Sequence, residues 1–188
     1  MKNIILVKHS VPEIVSTVPA KEWKLSQSGQ IRCVALAKIL EPFLPDVIIS
    51  SIEPKAIETA QIIAERFNKP FSVVNGLEEH DRTNIGLLEK REFENKVKEF
   101  FDKPEDLVFG KETASQSLAR FSKALSSIEF EYPDKNIVVV AHGTVITLFV
   151  NKFNVVEEFS FWKKLDLPSF VVLSLPSHKL VKLVGGVV

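Results

Sequence analysis

Apolar residues along this chain form short continuous runs that alternate with longer stretches of helical spacing. The segments at residues 4–7, 47–51 and 137–141 predict strands that are buried on both faces of a sheet. At residues 31–40 and 56–67, apolar residues recur every three or four positions, which predicts amphipathic helices. The predicted core-facing stripe of the first helix comprises Ile31, Val34, Ala35, Leu36, Ile39 and Leu40.

Capping residues and prolines predict where these helices begin, and further apolar runs predict additional strands and helices. Ser26 is a predicted N-cap because its hydroxyl can accept from an unpaired first-turn amide, and Pro54 can begin the next helix. Near the C-terminus, residues 170–175 and 180–184 flank a Pro-Ser-His turn and predict an antiparallel pair of strands. The remaining predicted elements are a strand at residues 71–74 and helices at residues 89–101, 118–128 and from residue 145 onward.

The order of these elements predicts the fold class. Alternating strands and helices favour a parallel sheet with right-handed crossovers and helices on both faces. We therefore predict an α/β protein with three layers (α/β/α) and a mostly parallel sheet with an antiparallel edge strand. A length of 188 residues, with 45% hydrophobic and 26% charged residues, suits a single domain spanning residues 1–188.

Charge and cysteine content argue against several classes of protein. A formal net charge of +0 argues against a nucleic-acid binder, which usually carries a basic excess. The single cysteine, Cys33, excludes an internal disulfide framework and a cysteine zinc site, and it is predicted to be a packed, reduced thiol. Because no leader pattern and no apolar run of membrane length is present, we expect a cytoplasmic protein that does not bind membranes.

Charged and polar side chains follow the predicted strands where each strand ends. Lys8 and His9 follow the first strand, and His142 and Gly143 follow the strand at residues 137–141. The carboxyl ends of parallel strands meet at one edge of an open sheet, where ligands bind. We therefore expect the two histidines to lie close together at this edge.

Further residues are predicted to join the same edge. Lys55 lies in the first turn of the helix after Ser50-Ser51, and Glu78 and Glu79 lie in the loop after the third strand. Adjacent residues point apart, so at most one of the two glutamates faces the site, and we expect Glu79. Two imidazoles, two ammonium groups and a helix N-terminus favour a phosphate pocket. A histidine nucleophile and a carboxylic acid that protonates the leaving oxygen would complete it.

Short motifs that carry these residues occur in a recognisable order. The motifs are Lys8-His9-Ser10, Leu25-Ser26 with Gly29, Ser50-Ser51 with Lys55-Ala56 and Thr59-Ala60, Leu77-x-Glu79, the segment Gly110 to Thr113, and His142-Gly143. With these motifs in this order, the chain resembles the histidine phosphatase superfamily, the group that includes the cofactor-dependent phosphoglycerate mutases.

The resemblance implies a role for each chemical group. His9 would be phosphorylated on a ring nitrogen, and His142 would donate a hydrogen bond to the same phosphoryl group. Glu79 would protonate the leaving alkoxide and then activate water. Lys8 and Lys55 would hold the phosphoryl oxygens, and the amide of Gly143 would help to hold them.

The resemblance also carries expectations about ligands. The substrate would be a small phosphorylated molecule, and neither a metal nor another cofactor is implied, because cationic side chains neutralise the phosphoryl charge. The oligomeric state, monomer or homodimer, stays open.

The chain departs from the family pattern at two cations. Lys8 and Lys55 stand where the family has arginines. Arginine grips two phosphoryl oxygens with a planar fork, whereas lysine is a flexible point charge, so we expect a retained pocket with reduced catalytic power. The first hypothesis is therefore a phosphatase acting through phosphohistidine. The second is a weak or inactive member that binds a phosphorylated ligand or partner, and the third is a phosphoglycerate mutase.

The remaining histidines and the aromatic residues are predicted to have structural rather than catalytic roles. His80 and His178 are expected at the surface, the latter in the turn between the last two strands. The charged run at residues 89–99 is expected to be a solvated helix face or part of a lid over the pocket. Core or substrate-side wall positions are expected for Phe100, Phe101, Phe159, Phe161 and Trp162.

Overall fold

A six-stranded sheet forms the centre of the computed structural model, which describes residues 2–188. The strands are β1 (Asn3–Lys8), β2 (Val47–Ser50), β3 (Phe71–Val73), β4 (Ile137–Ala141), β5 (Ser169–Ser174) and β6 (Lys179–Val184). The helices are α1 (Gln27–Leu40), α2 (Pro54–Phe67), α3 (Lys90–Asp102), α4 (Ala114–Glu131), α5 (Gly143–Phe153) and α6 (Glu158–Lys164).

The strand order is β3-β2-β4-β1-β5-β6. Strands β3, β2, β4 and β1 are parallel to one another, whereas β5 runs antiparallel to both β1 and β6. This topology confirms the predicted α/β class with a mostly parallel sheet and an antiparallel strand near one edge. It brings the carboxyl ends of β1, β4 and β2 to the same side of the molecule.

The two faces of the sheet bury alternate residues of each strand, as the two-residue period of a strand requires. On β1, Ile4 and Leu6 belong to a core shared with α4 and α5, whereas Ile5 and Val7 belong to the core under α1 and α2. A third, smaller core lies between α3, α5 and α6. It comprises Val97, Phe100, Phe101, Phe109, Ala114 and Leu148, with Phe93, Phe159 and Trp162 packed against it.

Helix α1 begins as predicted but buries a different face. The Ser26 hydroxyl accepts from the Gly29 amide at 3.0 Å, which is an N-cap bond. The predicted stripe is wrong in part: Leu36 and Leu40 are buried as predicted, but Ile31 is 66% exposed and Val34 is 49% exposed. The face that packs carries small residues, which allow close approach to α2 and to the chain at Val11. The buried residues are Gly29, Cys33, Leu36, Ala37 and Leu40.

Helix α5 is the most buried helix of the molecule. Every residue from Gly143 to Val150 is buried, because the helix lies between the sheet, α4 and α6. It is only 11 residues long. Within residues 2–188, no helix combines the length and apolar character needed to cross a bilayer.

Candidate active site

Strands β1 and β4 deliver the two site histidines side by side. Lys8 is paired in register with Ala141, and the His9 amide donates to the Ala141 carbonyl at 3.1 Å. The chain then leaves the sheet at His9 and at His142. As a result, the centroids of the two imidazole rings are 5.2 Å apart, with the ring planes at 61°.

His9 is held in one orientation by the residue that follows it. Its Nδ1 atom lies 2.7 Å from the Ser10 carbonyl oxygen, so Nδ1 carries the proton and Nε2 keeps its lone pair. Ser10 is fixed in turn, since its amide donates to the Thr59 hydroxyl and its hydroxyl donates to the Gly29 carbonyl. Burial, reinforced by the charge of the nearby Lys55, lowers the pKa of His9 well below its ordinary value. The ring is therefore neutral at neutral pH.

His142 is completely buried and is held from the side of β2. Its Nε2 atom lies 2.9 Å from the Ser51 hydroxyl and 3.4 Å from Oε1 of Glu53. Its Nδ1 atom is buried without a hydrogen-bond partner among residues 2–188. Burial, with the nearby Lys55 charge, lowers the pKa of His142 well below its ordinary value, so this ring is also neutral.

Glu79 faces the site and Glu78 does not. The Glu79 carboxylate accepts from the Thr144 amide in the first turn of α5 at 3.2 Å and from the His80 amide at 3.0 Å. Burial acts to raise its pKa, but the charge of Arg82 and these two amide bonds outweigh burial and lower it. Glu78 instead accepts from the Gly76 amide at 2.6 Å and pairs with Arg120 at 3.4 Å.

Arg120 of α4 fixes the loop that carries Glu79. Its guanidinium donates to the carbonyls of Gly76, Glu78 and Glu79 at 3.0–3.3 Å, and it pairs with Glu112 at 2.5 Å. Sequence reasoning missed this residue, because nothing in an ordinary amphipathic helix marks one arginine as the anchor of a distant loop. Glu112 does belong to the Gly110 to Thr113 motif, which is the only local signal.

Lys8 lies at the end of β1 with its amine against α6. Its Nζ atom donates to the Leu165 carbonyl at 2.5 Å and lies 6.0 Å from the centroid of the Trp162 ring. Burial lowers the pKa of Lys8 to about 8, although the charges of Glu79 and Asp166 oppose this shift. The lysine is therefore charged at neutral pH and loses its charge in mildly alkaline solution.

Lys55 is buried rather than exposed, and Glu53 engages its charge. The Lys55 amine lies 2.5 Å from Oε2 of Glu53 and donates to the Ala20 carbonyl at 2.6 Å. Oε1 of Glu53 accepts from the Glu79 amide at 2.9 Å, in addition to its approach to His142. Glu53 is thus a buried carboxylate in contact with three predicted site residues. Sequence reasoning missed it, although it lies between the Ser50-Ser51 pair and Lys55.

Gly143 is the first residue of α5 and directly follows His142 at the end of β4. A side chain at this position would press on Lys8, since a Cβ atom built there lies 3.2 Å from Lys8 Cε. The structure thus brings together Lys8, His9, Lys55, Glu79, His142 and Gly143 at one edge of the sheet. Within residues 2–188, no group of three or more His, Cys, Asp or Glu side chains is arranged to hold a metal ion.

The surface positions predicted for His80 and His178 are wrong. His80 is 2% exposed, with its ring 4.2 Å from the Phe100 centroid and 4.7 Å from that of Phe109. His178 does lie in the predicted turn, but its ring packs on Phe153 and contacts Glu129 at 2.7 Å. Both rings provide flat apolar faces to aromatic neighbours, which sequence spacing does not reveal.

The sequence that forms this site matches the model of a known protein family. Residues 4–183 match the model of the histidine phosphatase superfamily (branch 1). The chain belongs to the histidine phosphatase superfamily. The resemblance drawn from the motifs is therefore confirmed, and it extends over nearly the whole chain.

Individual members of the superfamily are distant in sequence. The uncharacterized phosphatase PhoE of Bacillus subtilis (strain 168) is 26% identical over 122 residues, which is 65% of this chain and 60% of the relative. The match thus spans less than two thirds of that protein.

Solved structures of the superfamily share the fold along almost the full chain. Phosphoserine phosphatase from Entamoeba histolytica, in complex with 3-phosphoglyceric acid, has a TM-score of 0.74 at 18% identity, covering 98% of this chain and 97% of its own. A mycobacterial glucosyl-3-phosphoglycerate phosphatase complexed with VO3 has a TM-score of 0.74 at 21% identity, covering 97% of each chain.

Proposed function

We propose that this histidine phosphatase superfamily member is a phosphomonoester hydrolase that works through a phosphohistidine on His9. The observation that carries the proposal is the pair of neutral, buried imidazoles at the ends of β1 and β4, with the Glu79 carboxylate beside α5. In this scheme His142, Lys8 and Lys55 hold the phosphoryl group, with the Gly143 amide, and no metal takes part.

The state of His9 supports its role as the nucleophile. Its Nδ1–H is committed to the Ser10 carbonyl, so the Nε2 lone pair is available to attack phosphorus. The phosphorus–oxygen bond of the ester breaks as the nitrogen–phosphorus bond forms. Because its pKa is lowered, His9 needs no prior deprotonation at neutral pH.

Glu79 is the proposed source of the proton for the leaving oxygen. Its pKa is lowered in the ligand-free protein, so the carboxylate carries no proton at neutral pH. We infer that the substrate enters as its monoanion and passes its proton to Glu79. Glu79 returns this proton to the leaving alkoxide and then accepts one from the water that attacks the phosphohistidine.

The names of its relatives support the reaction type and a small substrate. The Bacillus subtilis relative is described as a phosphatase, and the two solved structures are phosphatases for phosphoserine and for glucosyl-3-phosphoglycerate. We propose that the physiological substrate is likewise a small phosphorylated metabolite.

A second candidate function is binding of a phosphorylated ligand without efficient turnover. The observation that favours it is the engagement of both lysine amines by protein acceptors, Lys8 by the Leu165 carbonyl and Lys55 by Glu53. A phosphoryl group must compete with these acceptors. Loss of one well-placed donor in such a site can lower the rate by roughly 10²–10³-fold.

One experiment separates the two candidates. Hydrolysis of a generic aryl phosphate is measured with chelator present, from about pH 5 to pH 8, together with the protein-bound phosphate after alkaline quenching. We expect turnover and alkali-stable phosphoenzyme in the wild type, neither in His9→Ala, and both in His178→Ala, whose histidine lies away from the site. Turnover that persists in His9→Ala would contradict the phosphohistidine mechanism, and no turnover in any variant would favour the binding function.

A further inference from the structure

The two carboxylate oxygens of Glu53 face different groups of the site. Glu53 is 6% exposed, and its Oε2 atom lies 2.5 Å from the amine of Lys55. Its Oε1 atom lies 3.4 Å from Nε2 of His142 and accepts from the Glu79 amide at 2.9 Å. The bond from the Glu79 amide holds Oε1 beside the His142 ring, even when the Lys55 amine moves away from Oε2.

The two ring nitrogens of His142 have different surroundings. Nε2 lies 2.9 Å from the Ser51 hydroxyl, in addition to its approach to Glu53, whereas Nδ1 is buried with no hydrogen-bond partner among residues 2–188. A carboxylate oxygen only accepts hydrogen bonds, so Glu53 favours the forms of the ring in which Nε2 carries a proton. Nδ1 is the nitrogen left to bind a phosphoryl oxygen.

A bound phosphoryl group would place the His142 ring between two anions. Oxygens of a phosphoryl dianion only accept hydrogen bonds, so Nδ1 must carry a proton to bind one of them. Glu53 favours a proton on Nε2 at the same time. The imidazolium, which has an N–H group on each side, satisfies both anions, and hydrogen bonds between charged groups are stronger than those between neutral groups.

The ring is neutral in the ligand-free protein because of the groups around it. Besides Glu53, the ionisable side chains near the ring are those of His9, Lys8, Lys55, Glu79, Arg82 and Arg120. Burial lowers the pKa of His142, and nearby cations, chiefly Lys55, lower it further, whereas Glu79 acts to raise it. Because the Lys55 amine is bound to Glu53, it also offsets the charge of that carboxylate.

We propose that Glu53 is a positioning residue that makes His142 bind a proton together with the phosphoryl group. The Lys55 amine moves from Glu53 to a phosphoryl oxygen, and the freed carboxylate binds the Nε2–H of the His142 imidazolium. The proton comes from solvent as the substrate binds and returns to solvent when inorganic phosphate leaves, so the net hydrolysis is unchanged. The inference rests on the proposed function for the place of the phosphoryl group, and it adds a third cation to Lys8 and Lys55.

The protonation state of His142 in the presence of sulfate tests the inference. Sulfate is a tetrahedral dianion that does not itself titrate near neutral pH, so a proton taken up with it is bound by the protein. NMR of the ring nitrogens, in full-length protein labelled with ¹⁵N at histidine, distinguishes a neutral ring from an imidazolium. At about pH 7 we expect His142 to be neutral without sulfate and an imidazolium at saturating sulfate. The signals are assigned by their loss in His142→Gln.

Substitution of Glu53 separates its effect from that of the anion. In Glu53→Gln the Lys55 charge has no counter-ion, so His142 should stay neutral at saturating sulfate and about pH 7. Glu53→Asp should retain the imidazolium at least in part, and Glu65→Gln, at an exposed position of α2, should behave as the wild type.

The pH profile of kcat for an aryl phosphate gives a second readout. The kcat value reports ionisation in the enzyme–substrate complex, and loss of the His142 proton there lowers the rate as the pH rises. Because Glu53→Gln removes a charge-assisted hydrogen bond to the imidazolium, this decline should move to lower pH by about one pH unit or more. A change that merely loosened the fold would lower kcat without moving the profile.

Lys55→Gln tests the same coupling without a ligand. Glu53 then has no cation bound to it and still lies beside Nε2 of His142. We therefore expect His142 to be an imidazolium at about pH 7 in the ligand-free variant, and to be neutral again when Glu53→Gln is added. This measurement does not depend on whether Glu53→Gln folds by itself.

A neutral His142 in sulfate-bound wild-type protein would overturn the inference, as would the absence of sulfate binding at about 100 mM. An imidazolium that persists in sulfate-bound Glu53→Gln, or a neutral His142 in Lys55→Gln, would do the same. Aryl phosphate hydrolysis with a neutral His142 would refute only the role of Glu53. A sulfate-dependent imidazolium without any hydrolysis would count against the proposed hydrolase and not against that role.

Discussion

Burial makes the charged form of Lys8 costly, and among residues 2–188 its amine donates to one acceptor, the Leu165 carbonyl. Burial brings its pKa to about 8, whereas a guanidinium at the same place would remain charged far above that pH. The kcat/KM value reports the ionisation of the free enzyme. Binding of a phosphoryl group by Lys8 should therefore weaken as the pH rises through about 8.

Lys8→Arg should change both the rate and its pH dependence. At about pH 9, roughly a tenth of the wild-type protein would retain the charge of Lys8, so the ratio of variant to wild-type kcat/KM should rise about tenfold between pH 7 and pH 9. Aryl phosphate hydrolysis measures this ratio. Lys98→Arg, at an exposed position of α3, is the control and should follow the wild type. Parallel pH profiles for Lys8→Arg and wild type would contradict a binding role for the Lys8 charge.

The residues of the site differ in how well the sequence predicts them. His9, His142 and Glu79 lie where strands and their loops end, so the topology alone brings them together. Glu53 could not be assigned, because its role depends on three-dimensional contacts with Lys55, His142 and the Glu79 amide. From the sequence alone, a single glutamate before a proline at the start of a helix is expected to be an ordinary solvated residue.

At the scale of elements, backbone geometry joins the two loops that flank α3, in the segment between β3 and α4. Gly110 has φ of 85°, and a Cβ atom built there lies 2.6 Å from Nε2 of His80. The next amide, of Lys111, donates to the Asp81 carbonyl at 2.7 Å. This hydrogen bond joins the two ends of the segment from Asp81 to Lys111, and it lies two residues after Glu79 in the chain.

Gly110→Ala should therefore damage both stability and activity. A positive φ and the clash with His80 together should lower the free energy of unfolding by about 2 kcal/mol. Displacement of the loop should lower kcat about tenfold or more through Glu79. Gly86→Ala, in the loop before α3, is a matched control because a Cβ atom there meets nothing within 4 Å. Urea denaturation and aryl phosphate hydrolysis measure both effects, and equal behaviour of the two variants would refute this account of the loop.

Elements differ in how far their sequence determines them. The strands are predicted well, because a short continuous apolar run bounded by polar residues is typical of a strand buried on both faces of a sheet. The buried face of α1 is predicted only in part: Leu36 and Leu40 are buried as expected, but the helix packs through the small residues Gly29, Cys33 and Ala37 and leaves Ile31 exposed. Helix α6 has only seven residues, too few for a periodic pattern to emerge.

At the scale of the whole molecule, buried neutral histidines make stability depend on pH. The pKa values of His9, His80 and His142 are all lowered, chiefly by burial. As the pH falls below about 6.5, the unfolded chain binds protons that the folded protein excludes, so the free energy of unfolding decreases. Each such histidine contributes a slope of up to about 1.4 kcal/mol per pH unit.

His80→Phe isolates one of these contributions. Both ring nitrogens of His80 are buried without a hydrogen-bond partner in the described part of the chain, residues 2–188, and the ring already packs on Phe100 and Phe109. Phenylalanine should keep this packing and raise the free energy of unfolding by about 1 kcal/mol at neutral pH. The variant should also lose less stability than the wild type between about pH 7 and pH 5.5. Urea denaturation at the two pH values decides the point, and identical losses in both proteins would show that His80 does not titrate in this range.

The Glu53 carboxylate affects how tightly the pocket would hold inorganic phosphate, the product of hydrolysis. It cancels much of the field of Lys55, and Glu79 opposes that of Lys8, so the pocket offers a phosphate dianion only a small excess of positive charge. Inorganic phosphate formed there would be held by a few directed hydrogen bonds more than by strong net attraction. Phosphate can dissociate quickly from such a site after each turnover, because the Glu53 carboxylate can pair with the Lys55 amine again as the product leaves.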